Sequence, residues 1–168
     1  YDAKLLPVVP RLSAELDKEY ILKADKSFAT PASVTVGVDE TNTDDKVIAL
    51  IDKVPSDGFG EYELELSSGM YIPEDNKKVK YKLDIVKKAV AQLELTVQAQ
   101  NVQSGLTAKI NNKLIAQVWG EEGKITTDNV KAYVDVSGLG AGTYNLPVKI
   151  EGENVSFAEN YTIEVTVE

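Results

Sequence analysis

The chain of 168 residues has no cysteine and no histidine, and it carries one arginine, one tryptophan and one methionine. Without cysteine there is no disulfide, no thiolate nucleophile and no zinc site built on sulfur. Without histidine the usual general base, the commonest transition-metal ligand and the usual catalytic triads are excluded. The single arginine, Arg11, and a net charge of −9 argue against a nucleic-acid partner, which needs clustered cations for its phosphates. The acidity itself reads as solubility. Long hydrophobic runs are missing too. The longest, such as Val47–Ile51, fall far short of the roughly 20 residues a membrane-spanning helix needs, and no segment reads as a signal peptide. Absence of cysteine suits exported proteins of Gram-positive bacteria. The first residue is tyrosine, which implies a piece excised from a longer protein.

What is present is repetition. The string Val130-Lys131-Ala132-Tyr133-Val134-Asp135, followed by Ser137-Gly138-Leu139, Gly142-Thr143-Tyr144 and Leu146-Pro147-Val148, has a degenerate copy roughly 82 residues upstream. In that copy Val47, Ala49, Ile51 and Asp52 answer to Val130, Ala132, Val134 and Asp135, while Gly60, Tyr62 and Leu64 answer to Gly142, Tyr144 and Leu146. Carried further at the same offset, Val79, Tyr81, Leu83 and Ile85 fall on Tyr161, Ile163, Val165 and Val167, and Val34-Thr35-Val36 falls on Ala116-Gln117-Val118. The chain therefore reads as two tandem domains, 1–87 and 88–168. Units of about 80 residues can each bury a small core, unlike short solenoid repeats.

Period-2 alternation dominates both copies. Tyr161, Ile163, Val165 and Val167 alternate with Thr162, Glu164, Thr166 and Glu168, the mark of a half-buried antiparallel strand. Leu93, Leu95, Val97 and Ala99 alternate in the same way, as do Tyr62, Leu64 and Leu66 with Glu61, Glu63 and Glu65. Leu114 to Trp119 is another strand, ended by Gly120. Long amphipathic helices are missing. In the best candidate, residues 85–93, helix and strand readings compete, and it is read as an extended connection between two strands. A short helical turn over residues 127–131, capped by Thr127 or Asp128, is expected before the next strand. The fold class is all-β: two small antiparallel domains with short helical turns and Gly/Pro/Asn/Asp loops.

With that pattern in place, the second copy resembles the YbbR-like domain. The resemblance rests on Trp119-Gly120 closing a strand and Thr127 to Val130 before the next. Val134-Asp135-Val136-Ser137-Gly138-Leu139 and Gly142-Thr143-Tyr144-Asn145-Leu146-Pro147-Val148 then follow in order, before a closing strand at Tyr161 to Val167. It covers roughly residues 93–168. The first copy departs from it: Val54-Pro55-Ser56-Asp57-Gly58 replaces Val-Ser-Gly-Leu, and Glu65 stands at the place of Pro147. The resemblance implies a module present in several copies on the extracytoplasmic face of the cell membrane. It implies an anchor in a segment outside this chain, and regulation of a membrane-bound diadenylate cyclase, the enzyme that makes cyclic di-AMP, through protein contacts. The family supplies no catalytic residues, cofactor or metal to carry over. The alternative reading is an immunoglobulin-like stalk or adhesin repeat of a bacterial surface protein; an enzyme ranks last.

The residues that define the motif are Asp52, Gly60, Tyr62, Gly120, Asp135, Gly138, Gly142, Tyr144 and Pro147, and each is expected to serve the fold. Asp52 and Asp135, each just after an apolar run, are expected to accept backbone N–H groups of the following turn. The Gly138–Gly142 loop opens onto a strand and not a helix, so it reads as a turn and not a phosphate cradle. The acidic stretch 39–45 lacks the glycine and terminal glutamate of an EF-hand and reads as a solvated loop. The tyrosines read as core. Trp119 stands on the more polar parity of its strand and, if exposed, is a partner-contact candidate.

Overall fold

The computed structural model describes all 168 residues and is almost wholly β. Two compact units divide at Tyr1–Val86 and Lys87–Glu168. The first contains β1 (Asp2–Leu12), β2 (Tyr20–Leu22), β3 (Phe28–Thr30), β4 (Ser33–Val38), β5 (Val47–Ile51), β6 (Phe59–Glu65), β7 (Met70–Tyr71) and β8 (Lys78–Lys82). Its only α-helix is the single turn α1 (Ala14–Asp17), started by the Ser13 hydroxyl accepting Leu16 N–H at 3.3 Å. The second contains most of β9 (Ile85–Leu95), then β10 (Val97–Gln100), β11 (Ala108–Lys109), β12 (Leu114–Glu121), β13 (Lys131–Asp135), β14 (Gly142–Pro147), β15 (Lys149–Glu151), β16 (Ser156–Phe157) and β17 (Thr162–Val167). The segment 85–93 is thus extended, as read from the sequence.

In the first unit, seven strands form one sheet in the order β3-β8-β6-β5-β1-β4-β7. Its first strand changes partner midway. Residues Asp2 to Pro7 run antiparallel to β4, and Val8 to Leu12 run parallel to β5. The second unit repeats the plan in pieces: β9 is antiparallel to β12, and β10, after a break at Thr96, is parallel to β13. Each unit thus holds one parallel pair among its antiparallel ladders, which alternation alone does not report, since its period is 2 in either case.

Each unit buries its own core. Leu6, Val36, Val47, Ile51, Tyr62 and Tyr81 are among the residues that close the first, and Leu95, Val118, Val134, Ile163 and Val165 among those that close the second. No polar or charged residue is buried in either. The inward positions are those that the alternation marks. In β17, Ile163, Val165 and Val167 are buried, whereas Thr162 and Glu164 are exposed.

One sequence expectation changes. Residues 127–129 form a hydrogen-bonded turn, Asn129 N–H to Thr126 carbonyl at 3.1 Å, and not a helical turn. The Asn129 side chain donates to the Lys124 carbonyl at 3.0 Å, so it closes the loop backwards and does not lead into a helix. Nor does the constant offset carry into the ladders. Gly60 pairs with Tyr81, but Gly142 pairs with Val167, four residues beyond Ile163, the position the offset assigns. The reason lies in where each strand changes sheets. β6 meets β5 at Leu64, while the chain from Gly142 meets β13 only at β15, after Val148.

Candidate functional site

The recurring Gly-x-Tyr is a local packing device. Residues i and i+2 share one face of a strand, so the tyrosine ring can lie back over the glycine. Over Gly60 it does so closely: a Cβ there would stand 2.5 Å from Tyr62 Oη and 2.6 Å from its Cε2. The Tyr62 hydroxyl donates to the Lys53 carbonyl at 2.8 Å, with the ring 2% exposed. Burial, and then the charge of Asp52, raise the Tyr62 phenol above its ordinary range. In the second unit a Cβ on Gly142 would stand 3.2 Å from Tyr144 Oη, and that hydroxyl donates to the Gly140 carbonyl at 2.9 Å, but the side chain is half-buried.

The two aspartates differ more. Asp135 Oδ1 accepts the Ser137 N–H at 2.9 Å, the Ser137 hydroxyl at 2.5 Å and the Asn101 amide at 3.0 Å. Those donors, the Ser137 hydroxyl first, hold its carboxyl at about 2. Asp52 is exposed and makes no such bond to its own turn; there the Asp57 carboxylate accepts the Phe59 N–H at 3.0 Å. The pH consequence follows from the sign. A carboxyl with a folded pKa below its unfolded value contributes stability above the unfolded pKa, near 3.9, and loses it as pH falls through the folded value. An NMR titration of the intact chain should place Asp135 near 2, and Ser137→Ala should raise it; a midpoint near 4 in the unsubstituted chain would contradict the network.

The other motif residues serve the backbone. A Cβ on Gly120, at the buried end of β12, would meet Ile125 Cγ1 at 2.9 Å. Gly138 sits in the turn after Asp135 with φ 72°. Pro147 ends β14 opposite Thr162, where the strand turns toward β15. Nothing brings these residues together at one point, and they do not form a site.

The acidic stretch 39–45 is fastened to the turn that precedes β7. Asp39 Oδ1 accepts the Thr41 N–H at 2.8 Å and its hydroxyl at 2.5 Å, which lowers the carboxyl's pKa. The Asn42 amide donates to Ser67 Oγ at 2.9 Å and to the Ser68 carbonyl at 2.8 Å, and Ser67 donates to Asp44. No group of three or more carboxylates converges on one point in the chain. Asp52, Glu61 and Glu63 line an open cleft of about 320 Å³, but Lys53 and Lys78 share it and all five side chains are exposed.

Trp119 lies on the outward face of the β9–β12 ladder with Ile115 and Gln117, opposite Val90 and Ser156. It is half-buried, with the Lys88 ammonium 5.6 Å from its ring centroid, a cation–π distance. Ile115 and Val90 on the same face are 61% and 48% exposed.

One cluster escaped the sequence reading. Phe28, the first residue of β3, and Phe59, the first of β6, both lie opposite Lys82, the last of β8. Both rings are more than 60% exposed, and the Lys82 ammonium stands 5.9 Å from the Phe59 centroid. The signal was legible: Phe59 shares the parity of Glu61, Glu63 and Glu65, and Lys82 that of Lys80 and Lys78.

No family model matches this chain, and no curated protein matches it. Among solved structures it is similar to the crystal structure of a YbbR-like protein from Streptococcus pneumoniae TIGR4, at 16% sequence identity and a TM-score of 0.46, over 100% of this chain and 96% of that one.

Proposed function

We propose that the chain is a non-enzymatic interaction module that acts on the extracytoplasmic face of a membrane and regulates a membrane-bound diadenylate cyclase through protein contacts. What supports this reading is the ordered motif of the second unit, from Trp119-Gly120 through Asp135 to Pro147, which resembles the YbbR-like signature. The roles of the motif residues agree with it: Gly60, Tyr62, Asp135, Gly142 and Tyr144 pack against or bond to their own backbone and turns. Chemistry is therefore left to the outward faces, and an outward face works by binding.

Regulation then requires unequal affinity for two states of the cyclase, because a ligand shifts an equilibrium only by its differential binding. The contact assigned to this chain is the Trp119 face of β12, with Ile115 and Val90 beside it. Deleting the gene should change cellular cyclic di-AMP, and restoring a Trp119→Ala copy should fail to bring it back, while Tyr133→Phe should complement in full. Unchanged cyclic di-AMP in the deletion strain under envelope stress would reject the reading.

A further inference from the structure

We propose that the row Phe28, Lys82 and Phe59 is a binding platform for a β1,4-linked glycan that carries carboxylates. The row crosses three neighbouring strands, β3, β8 and β6, at one end of the sheet, with Lys82 in register with both phenylalanines. In-register neighbours share a face, so two phenyl rings and one ammonium lie on the same side of the sheet. The phenylalanine-bearing strands are two ladder spacings apart, about 9.5 Å. That is close to the length of one disaccharide of a β1,4-linked chain, in which alternate sugars present the same face. A glycan lying across the strands can thus stack sugar faces on both rings and set the intervening linkage over Lys82. The next row inward, Thr30, Lys80 and Glu61, supplies a hydroxyl, an ammonium and a carboxylate for sugar hydroxyls.

The second unit shows that the fold does not need this row. Where Phe59 precedes the motif glycine in the first unit, Ala141 precedes it in the second. At the same end of the β11–β17 ladder, Thr107 and Glu168 exchange backbone hydrogen bonds at 2.8 and 2.9 Å. The chain thus replaces phenylalanine, lysine and phenylalanine by threonine, glutamate and alanine on the same framework. Two phenylalanines held more than 60% exposed gain little from burial, and their pairing around a cation has no role in the core. The charge fits the ligand: in a chain of net charge −9, Lys82 and Lys80 place two ammonium groups beside the rings, where a carboxylate is welcome.

The test uses the full 168-residue chain and two probes. Chitohexaose is the neutral one, and solubilised strands of alternating N-acetylglucosamine and N-acetylmuramic acid carry the carboxylates. NMR titration should shift the amides of residues 28–30, 59–61 and 80–82 with both. The charged strands should bind more tightly, by an advantage that shrinks as salt screens Lys82. Installing the second unit's residues, Phe28→Thr with Phe59→Ala, should weaken both probes about tenfold or more. Lys82→Glu should leave chitohexaose binding intact and abolish the advantage of the charged strands. These are side chains the same fold already tolerates, and an unchanged urea midpoint confirms folding. Absence of shifts with either glycan at millimolar concentration would overturn the proposal. So would affinities that the variants leave unchanged, or binding to anionic phospholipid vesicles with neither glycan bound.

Discussion

Replacing Tyr62 by alanine should lower the unfolding free energy of the first unit by about 3–5 kcal/mol, the range for emptying an aromatic site in a close-packed core. The ring is 2% exposed, and its hydroxyl is bound to the Lys53 carbonyl. Truncation therefore removes apolar contact, leaves a cavity and frees a carbonyl at once. Gly60→Ala attacks the same contact from the other side. The new Cβ would lie 2.5–2.7 Å from the Tyr62 hydroxyl oxygen and two atoms of its ring, and the ring cannot retreat without leaving the core, so a loss of about 1–3 kcal/mol is expected from overpacking. Urea denaturation followed by the dispersed amide signals of residues 1–86 reads both. Tyr144→Ala is the internal control: that ring is half-buried, and its loss should cost distinctly less. Equal costs at Tyr62 and Tyr144 would show that Gly-x-Tyr does not brace the first core in this way.

Val118→Asp should unfold the second unit at neutral pH. Val118 is 0% exposed on β12, paired with Ala91 on one side and Phe157 on the other. The surrounding core offers no buried polar side chain to receive a carboxylate, and an ionised group without a partner costs several kcal/mol. The pH dependence has a definite sign. Burial raises the pKa of the introduced acid above its unfolded value, so the variant is best tolerated when protonated and loses stability as pH rises through about 4 and beyond. The urea midpoint of the variant should accordingly be higher at pH 4 than at pH 7. A midpoint indifferent to pH would mean that the aspartate reaches water.

Much of the fold was legible because alternation is a physical signature of a sheet with one wet face. It marked Ile163, Val165 and Val167 as core and Trp119 as outward on parity alone; at residues 85–93 helix and strand periodicities compete, and the segment is extended. Register was less legible. The sequence offset that aligns Gly60 with Gly142 pairs the closing strands wrongly, because pairing depends on where each strand leaves its sheet, and Val148 postpones that point in the second unit. The parallel pairs were invisible because they join residues far apart in sequence, Val8 to Val47 and Val97 to Ala132. At the motif, the Tyr62 hydroxyl donates to the Lys53 carbonyl and Asp135 accepts the Ser137 N–H, whereas the turn bond expected at Asp52 is made by Asp57 in its own loop. The Phe28–Lys82–Phe59 row was half-legible: the wrong parity of Phe59 is in the sequence, but its meeting with Phe28 needs the ladder.

The mid-course change of partner in β1 also sets a schedule. That strand lies between β5 and β4 in the order of the sheet, its first half laddered to β4 and its second half to β5. Synthesised before both of its partners, it waits for β4 and then β5 to emerge, and its parallel pairing cannot close as a tight hairpin. Closing such distant pairs costs chain entropy before any contact repays it, which slows folding. Until then the apolar side of β1, with Leu6 and Val8, stays uncovered, and such a transiently exposed strand is prone to pair with other chains.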